Sequence, residues 1–286
     1  MKKRKLLRGV SFTARHLVLL GLAAFWLLPI IWLVFTSFET YPGVNIRRIF
    51  PETWTLENYR QVLFDTADTV MRFPVWFKNT LIIAIFSCVI ASAFVLMVSY
   101  AMSRMRFKGR KALMNIGVLL GLFPGFLSMI AVYFILKSFG LTNNHWGLVM
   151  VYSGSSGLGY LIAKGFFDTI SETLSESARL EGATEMNIFW KIIIPLSKPI
   201  IVYTVISAFL TPWMDFVFAR IILNSGITTD WTVSIGLFNL LSRATIDTYF
   251  TRFCVGGVLV SIPISVLFII MQKFYVEGIT GGSVKG

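Results

Sequence analysis

Glu172, Glu176, Arg179, Glu181, Glu185 and Lys191 all fall within residues 169–195, a charged loop between two long apolar stretches. Carboxylates and cations gathered in this way can transfer protons, hold a metal or meet a charged partner. The rest of the chain offers little to the first two. His16 and His145 stand far apart, and Cys88 and Cys254 lie in apolar stretches, where cysteine behaves as a small hydrophobe and forms no disulfide framework. No catalytic residue and no metal ligand is assigned. A phosphate-binding G-x-x-x-x-G-K-[ST] loop is also missing. Gly154 to Gly159 is glycine-rich, but no Lys-Ser or Lys-Thr follows it. It reads as small residues that let helices approach closely, as does the Gly117-x-x-x-Gly121 pair. Recognition is the chemistry left to the charged loop.

The elements that must position it are membrane spans. The 286 residues are 56% hydrophobic and 14% charged, with a mean hydropathy of +0.74, far from a soluble composition. Apolar stretches long enough to cross about 30 Å of hydrocarbon recur at about 17–37, 78–103, 112–136, 146–167, 197–222 and 251–273. They are expected to be helices, because a single segment in lipid must satisfy its own backbone. An all-α membrane protein with six transmembrane helices follows. The first stretch is too long for a signal-peptide core and is followed by no convincing cleavage site.

The net charge of +12 could suggest nucleic acid, but its placement follows membrane topology. Lys2, Lys3, Arg4, Lys5, Arg8 and Arg15 precede the first span, and Arg104, Arg106, Lys108, Arg110 and Lys111 fill the turn after the second. The positive-inside rule puts both in the cytoplasm. Loop 169–195 and both termini fall on the same side. The expected organisation is a basic cytoplasmic N-terminus (1–16), a transmembrane region (17–275) and a cytoplasmic tail (276–286) in a bacterial cytoplasmic membrane.

Within the loop, Thr173 and Glu176 fit a capping box, Gly182 suits a left-handed C-terminal turn, and Thr184 can start a second helix. Leu174, Ala178 and Glu181 share one side of the first. Ile188, Trp190 and Ile192–Ile194 supply apolar surface to the second, which Pro195 is expected to stop. Two short helices with a glycine elbow result. They could meet a soluble partner or lie on the membrane, anchored by Phe189 and Trp190.

Glu176-Ser177-Ala178, three residues, Gly182, nine residues, then Ile192-Ile-Ile194-Pro195 resembles the signature E-A-A-x3-G-x9-I-x-L-P of ABC importer permeases. Ser177 replaces the middle Ala and Ile194 the Leu. Tyr100-Ala-Met-Ser-Arg104-Met-Arg-Phe-Lys-Gly109 is similar to a segment of carbohydrate-importer permeases, as are Phe123-Pro124 and Lys164-Gly-Phe-Phe-Asp168. The ending Gly278 to Gly286 resembles the tail of maltose/maltodextrin-type permeases. The resemblance implies a type I importer permease fold in which the loop is a coupling helix docked on an ATP-hydrolysing subunit through Glu176, Ser177, Ala178, Gly182, Ile192, Ile194 and Pro195. It implies tail contacts to the same subunit from Gly281, Gly282, Lys285 and Gly286.

The implied partners are a second, homologous permease, an ATPase dimer carrying ATP and Mg, an extracytoplasmic sugar-binding protein, an oligosaccharide and membrane lipid, with no nucleic acid. No cofactor is expected on this chain. Maltodextrin is the substrate implied first; raffinose-type sugars, sucrose and arabinose oligomers remain alternatives. Aromatic faces and hydrogen-bonding groups suit sugars, which makes Phe123, Tyr203, Trp213 and Asp215 candidates for the substrate path. Each can equally pack against helices or lipid. Asp215 can be functional by default as an intramembrane carboxylate, or paired with Arg220 or a neighbouring subunit. An ion-coupled sugar carrier and a structural membrane protein are the competing classes; the first needs more intramembrane carboxylates than Asp215.

Overall fold

The computed structural model describes residues 2–44, 49–122, 124–154 and 159–283, with side chains from 14 to 274. In chain order the helices are α1 (Lys2–Thr36), α2 (Glu57–Phe64), α3 (Phe73–Arg104), α4 (Arg110–Gly121), α5 (Gly125–Ser138), α6 (His145–Gly154), α7 (Gly159–Asp168) and α8 (Glu172–Leu180). There follow α9 (Glu185–Ile188), a π-turn (Phe189–Ile193), α10 (Ile194–Leu196), α11 (Lys198–Met214), α12 (Val217–Ile222), α13 (Val233–Leu240) and α14 (Ile246–Ser283). Among the described residues there is no strand, only an isolated bridge between Glu39 and Trp54.

The all-helical expectation holds, but six uninterrupted spans are not what the described residues form. Three helices are long and apolar enough to cross a membrane: Ala14–Thr36, Phe73–Arg104 and Ile246–Phe274. The number rises to five if two broken pairs, α4 with α5 and Glu185–Leu196 with α11, each count as one span. The expected span 197–222 is divided where α11 ends at Met214 and α12 starts at Val217. The stretch 146–167 carries α6 and α7 on either side of residues outside the description.

The chain divides into two compact units, Met1–Met71 with Leu237–Leu259, and Arg72–Gly236 with Val260–Gly286. In the first, the 23-residue apolar part of α1 ends in an aromatic cluster in which Phe35 meets Phe50 and Trp54 at 5.1 and 5.5 Å. Asp68 is held there by Arg252 at 3.0 Å, by Tyr249 and by the amides of Val70 and Met71. Four donors on one half-buried carboxylate leave it well satisfied.

The second unit is built on α3. Its 32 residues span about 48 Å at 1.5 Å per residue, and Pro74 sits in its first turn, where a missing N–H costs nothing. Its buried face carries Ala84, Ser87, Cys88, Ala91, Ser92 and Ser99. These small side chains let α6, α7 and α11 pack closely. Two of the hydroxyls are returned to carbonyls: Ser87 Oγ donates to Ile83 at 2.7 Å, and Ser99 Oγ to Tyr160 at 2.9 Å. A Cβ on Gly117 would lie 1.5 Å from the Tyr160 hydroxyl, so the glycine is required for contact, as its spacing suggests.

Candidate functional site

Loop 169–195 forms in the second unit as two short helices with an elbow. Helix α8 begins at Glu172, with Ser171 as N-cap and no side-chain cap bond. The expected capping box at Thr173–Glu176 does not form. Thr173 already lies in the first turn, and its hydroxyl pairs with that of Ser171 at 2.7 Å. Ser175 is fully buried, while Leu174, Glu176, Ser177 and Leu180 face outward. Leu174 therefore does not share the packed side with Ala178, which sits against the core. The i, i+3, i+4 rule selects Ser175, Ala178 and Arg179 as the inward row.

The elbow is a Schellman motif. Gly182 has φ +84°, its amide donates to the Arg179 carbonyl at 3.0 Å, and the Ala183 amide donates to Ala178 at 2.9 Å. Nothing lies within 4 Å of where a Cβ would be. Glycine is needed here for its backbone conformation, not for space. Thr184 then caps α9 by accepting from the Asn187 amide at 3.3 Å, as its position predicts.

Pro195 does not stop the helix. The π-turn widens the backbone, with the Ile194 amide reaching the Phe189 carbonyl, and the proline is accommodated in the first turn of α10. The break comes at Ser197, where the axis turns by 87° into α11. Ser197 Oγ donates to the Ile193 carbonyl at 2.7 Å, satisfying a group that the break would orphan. Ile188, Phe189 and Ile193 are buried against Val95, Leu96, Tyr100, Ala163 and Phe167, with Ile192 and Ile194 partly buried beside them. Met186 and Trp190 point outward, and Leu180 is 90% exposed.

Two segments that are far apart in sequence meet at this elbow. Glu185 accepts from Arg179 Nε at 2.6 Å and Nη2 at 3.3 Å, a forked contact of the strong kind. It also accepts from the Tyr100 hydroxyl at 2.6 Å, and the Tyr100 ring packs on Phe189 at 5.0 Å. The Arg179 contact holds the Glu185 carboxyl below the usual carboxylate range, against the opposing effect of burial. It holds the guanidinium above its ordinary value. One turn further along α3, buried Arg104 donates to the carbonyls of Phe167 and Ile170 at the end of α7, where a cation suits the helix dipole. Asp168 takes Ser103 at 2.6 Å and Lys164 at 2.5 Å.

Arg179 and Glu185 appear in the sequence only as members of a charged loop. Nothing in their spacing assigns Glu185 to Tyr100, 85 residues away. The one local signal is that Tyr100 and Arg104 share a helix face. Between α8 and the end of α3 lies a cleft of about 370 Å³ lined by Arg104, Met105, Arg106, Glu172, Glu176, Arg179 and Glu185.

Of the candidates for a substrate path, Trp213 and Asp215 are engaged by neighbouring residues of the chain. Trp213 is 4% exposed and stacks edge-on against Phe77 at 5.3 Å. Asp215 does not pair with Arg220. Its carboxylate accepts from Tyr152 at 2.5 Å and from the amides of Phe218 and Ala219 at 3.1 and 3.0 Å, so it closes the break between α11 and α12. Arg220 lies over the Trp231 ring at 5.4 Å instead. Tyr203 is 39% exposed. Gly281 and Gly282 lie on the last turn of α14, and Phe123, Lys285 and Gly286 fall outside the described residues.

Residues 96–280 match the family described as the binding-protein-dependent transport system inner membrane component. The chain belongs to that family. The matched region begins just before Tyr100 and takes in the elbow and the cleft beside it. This permease is 33% identical over 283 residues to the galactooligosaccharides transport system permease protein GanQ of Bacillus subtilis, covering 99% of this chain and 98% of that protein. It is 28% identical over 280 residues to the maltodextrin transport system permease protein MdxG of the same organism, with 98% of each covered. A solved bacterial ABC transporter involved in the import of the acidic polysaccharide alginate has a chain of the same fold. The two superpose with a TM-score of 0.76 at 23% identity, covering 92% of this permease and 96% of that chain.

Proposed function

We propose that this permease is one of two related membrane subunits of an ATP-driven importer of oligosaccharides, coupled to its ATPase through residues 169–195. The observation that carries the reading is the outward face of the loop. Glu176 and Ser177 stand exposed on α8 with Leu174 and Leu180, and Met186 and Trp190 are exposed on the arm beyond Gly182, where Ile188, Phe189 and Ile193 anchor the loop in the core. A rigidly mounted patch with a charge among large apolar side chains has the make-up of a protein contact. The ATPase subunits, carrying ATP and Mg, dock there. Glu176 supplies the charged contact, Gly182 the elbow, and Gly281, Gly282, Lys285 and Gly286 a second contact from the tail. The loop and both termini face the cytoplasm, and an extracytoplasmic binding protein delivers the sugar on the other side. Closing of the ATPases then drives a rigid-body change between inward- and outward-facing states.

The names of the relatives support a galactooligosaccharide or maltodextrin. The full complex in proteoliposomes is the test, with labelled maltotriose and a galactose trisaccharide offered with the binding protein. Uptake of one of them that needs internal ATP is the expected result. Uptake driven by a proton or sodium gradient without ATP would overturn the reading. The engagement of Asp215 by three donors gives that alternative no free carboxylate at this position.

A further inference from the structure

We propose that Tyr100, Arg179 and Glu185 form a clamp that fixes the coupling elbow to the end of α3, so that α8 and α3 move as one body. The inference rests on the coupling role of loop 169–195 and adds the residues that carry motion from it into the membrane.

Gly182 is the one joint in the loop whose conformation ordinary residues avoid. A Schellman turn closed by two backbone bonds does not by itself prevent α8 from swinging about it. Across that joint, Arg179 from α8 and Glu185 from α9 make a two-pronged ion pair, which ties one arm of the elbow to the other. The Tyr100 hydroxyl then binds the same carboxylate, while its ring rests on Phe189. The elbow is thereby attached to the longest helix of its unit. Arg104, four residues on, repeats the device by holding the end of α7, so α3 grips both flanks of the loop's entrance. A push on the outward face of α8 is transmitted to α3 only while α8 cannot rotate alone. Packing alone is a poor lock there, because α8 buries only Ser175 completely.

Tyr100, Arg179 and Glu185 are positioning residues. They do not meet the sugar or the nucleotide, and their loss is expected to show as slippage: ATP is consumed with less sugar moved. The test uses the complete complex in lipid nanodiscs and proteoliposomes, with Tyr100→Phe, Glu185→Gln, Arg179→Glu, Glu185→Arg and the double exchange R179E/E185R. Tyr100→Phe removes one hydrogen bond to a charged group and keeps the ring. It is expected to raise the population of the open clamp roughly tenfold, the equilibrium worth of such a bond, and so to lower the sugar moved per ATP. The double exchange restores the opposite charges, and a tyrosine hydroxyl can accept from an arginine as well as donate to a glutamate. It is therefore expected to recover most of the ratio that each single charge reversal loses.

Nitroxide labels at Lys108→Cys and Thr173→Cys, the second on α8 but outside the docking residues, give a second readout, since Cys88 and Cys254 are both buried. Their distance distribution should be narrow in the parent and broad in Tyr100→Phe and Glu185→Gln. An unchanged distribution together with an unchanged sugar-to-ATP ratio in both variants overturns the clamp, as does a double exchange no better than the single reversals. If the parent complex takes up sugar without any need for ATP, it is the coupling reading that fails. The label distances then still decide whether the three residues fix the elbow.

Discussion

The elbow at Gly182 and the break at Asp215 are both places where a helix stops and a carboxylate stands near the gap, yet they are finished in opposite ways. At Asp215 every strong acceptor is turned inward, to Tyr152 and to the amides that open α12. At the elbow one carboxylate, Glu185, is consumed internally, while Glu176 is left in the open. A charge inside a membrane protein that is fully answered by its own chain is a structural part. A charge held out on a braced helix is one kept for something else. The difference lies in the partners, not in the residue type.

The sharpest way to break this comparison is to remove each carboxylate in turn. Asp215→Ala leaves the Tyr152 hydroxyl and two amides without an acceptor, and each hydrogen bond to a charged group is worth about 1.5–3 kcal/mol. The variant should lose about 3 kcal/mol or more and show a clearly lower melting temperature in detergent. Glu176→Gln, an exposed change, should stay within about 0.5 kcal/mol of the parent but retain less ATPase subunit on affinity purification. Equal melting losses for the two would erase the distinction.

Gly182→Ala comes next. Its φ of +84° is unfavourable for a residue with a Cβ by about 1–2 kcal/mol, and the open space around it means no clash adds to that. Transport should fall, and Gly182→Asn should fall less, because asparagine tolerates the left-handed region better. Arg220→Gln removes a contact over Trp231 worth about 0.5–1 kcal/mol and leaves Asp215 its partners, so a small melting shift is expected. A shift as large as that of Asp215→Ala would mean that the two residues act as a pair after all.

The pH dependence of the elbow is the finest probe. Glu185 is held below its ordinary value, so its contribution is complete above the ordinary carboxylate pKa of about 4.3 and lost as pH falls through the depressed value. The label distances of the elbow should be constant from pH 8 down to about 5. Broadening within that window would contradict the ion pair.

The legible parts of this molecule are those set by short-range rules. Apolar stretches mark where helices lie, though not where α4–α5 and the loop–α11 pair break; Gly182 gives the left-handed turn and Thr184 the cap, because each depends on its own or nearby backbone. The capping box at Thr173–Glu176 misleads for a local reason: the helix starts at Glu172 with Ser171 at the N-cap position, so Thr173 already lies in the first turn and spends its hydroxyl on that of Ser171. Pro195 misleads because a π-turn can absorb a proline that an α-turn rejects. The fate of Asp215 depends on Tyr152, 63 residues away, and that of Glu185 on Tyr100. Neither distance appears in any pattern of the chain, although the resemblance of the Tyr100–Gly109 and Lys164–Asp168 segments to one family hints that both serve one place, and in the structure they meet.

The central claim is that the outward face of α8 receives the ATPase. Its most direct test is the rate at which a membrane-impermeant maleimide, supplied from the cytoplasmic side, reacts with Ser177→Cys in the permease alone and in the assembled complex. Rapid labelling of the permease alone and strong protection by the ATPase subunit are expected. Equal rates in both, or no labelling from that side at all, would contradict the account.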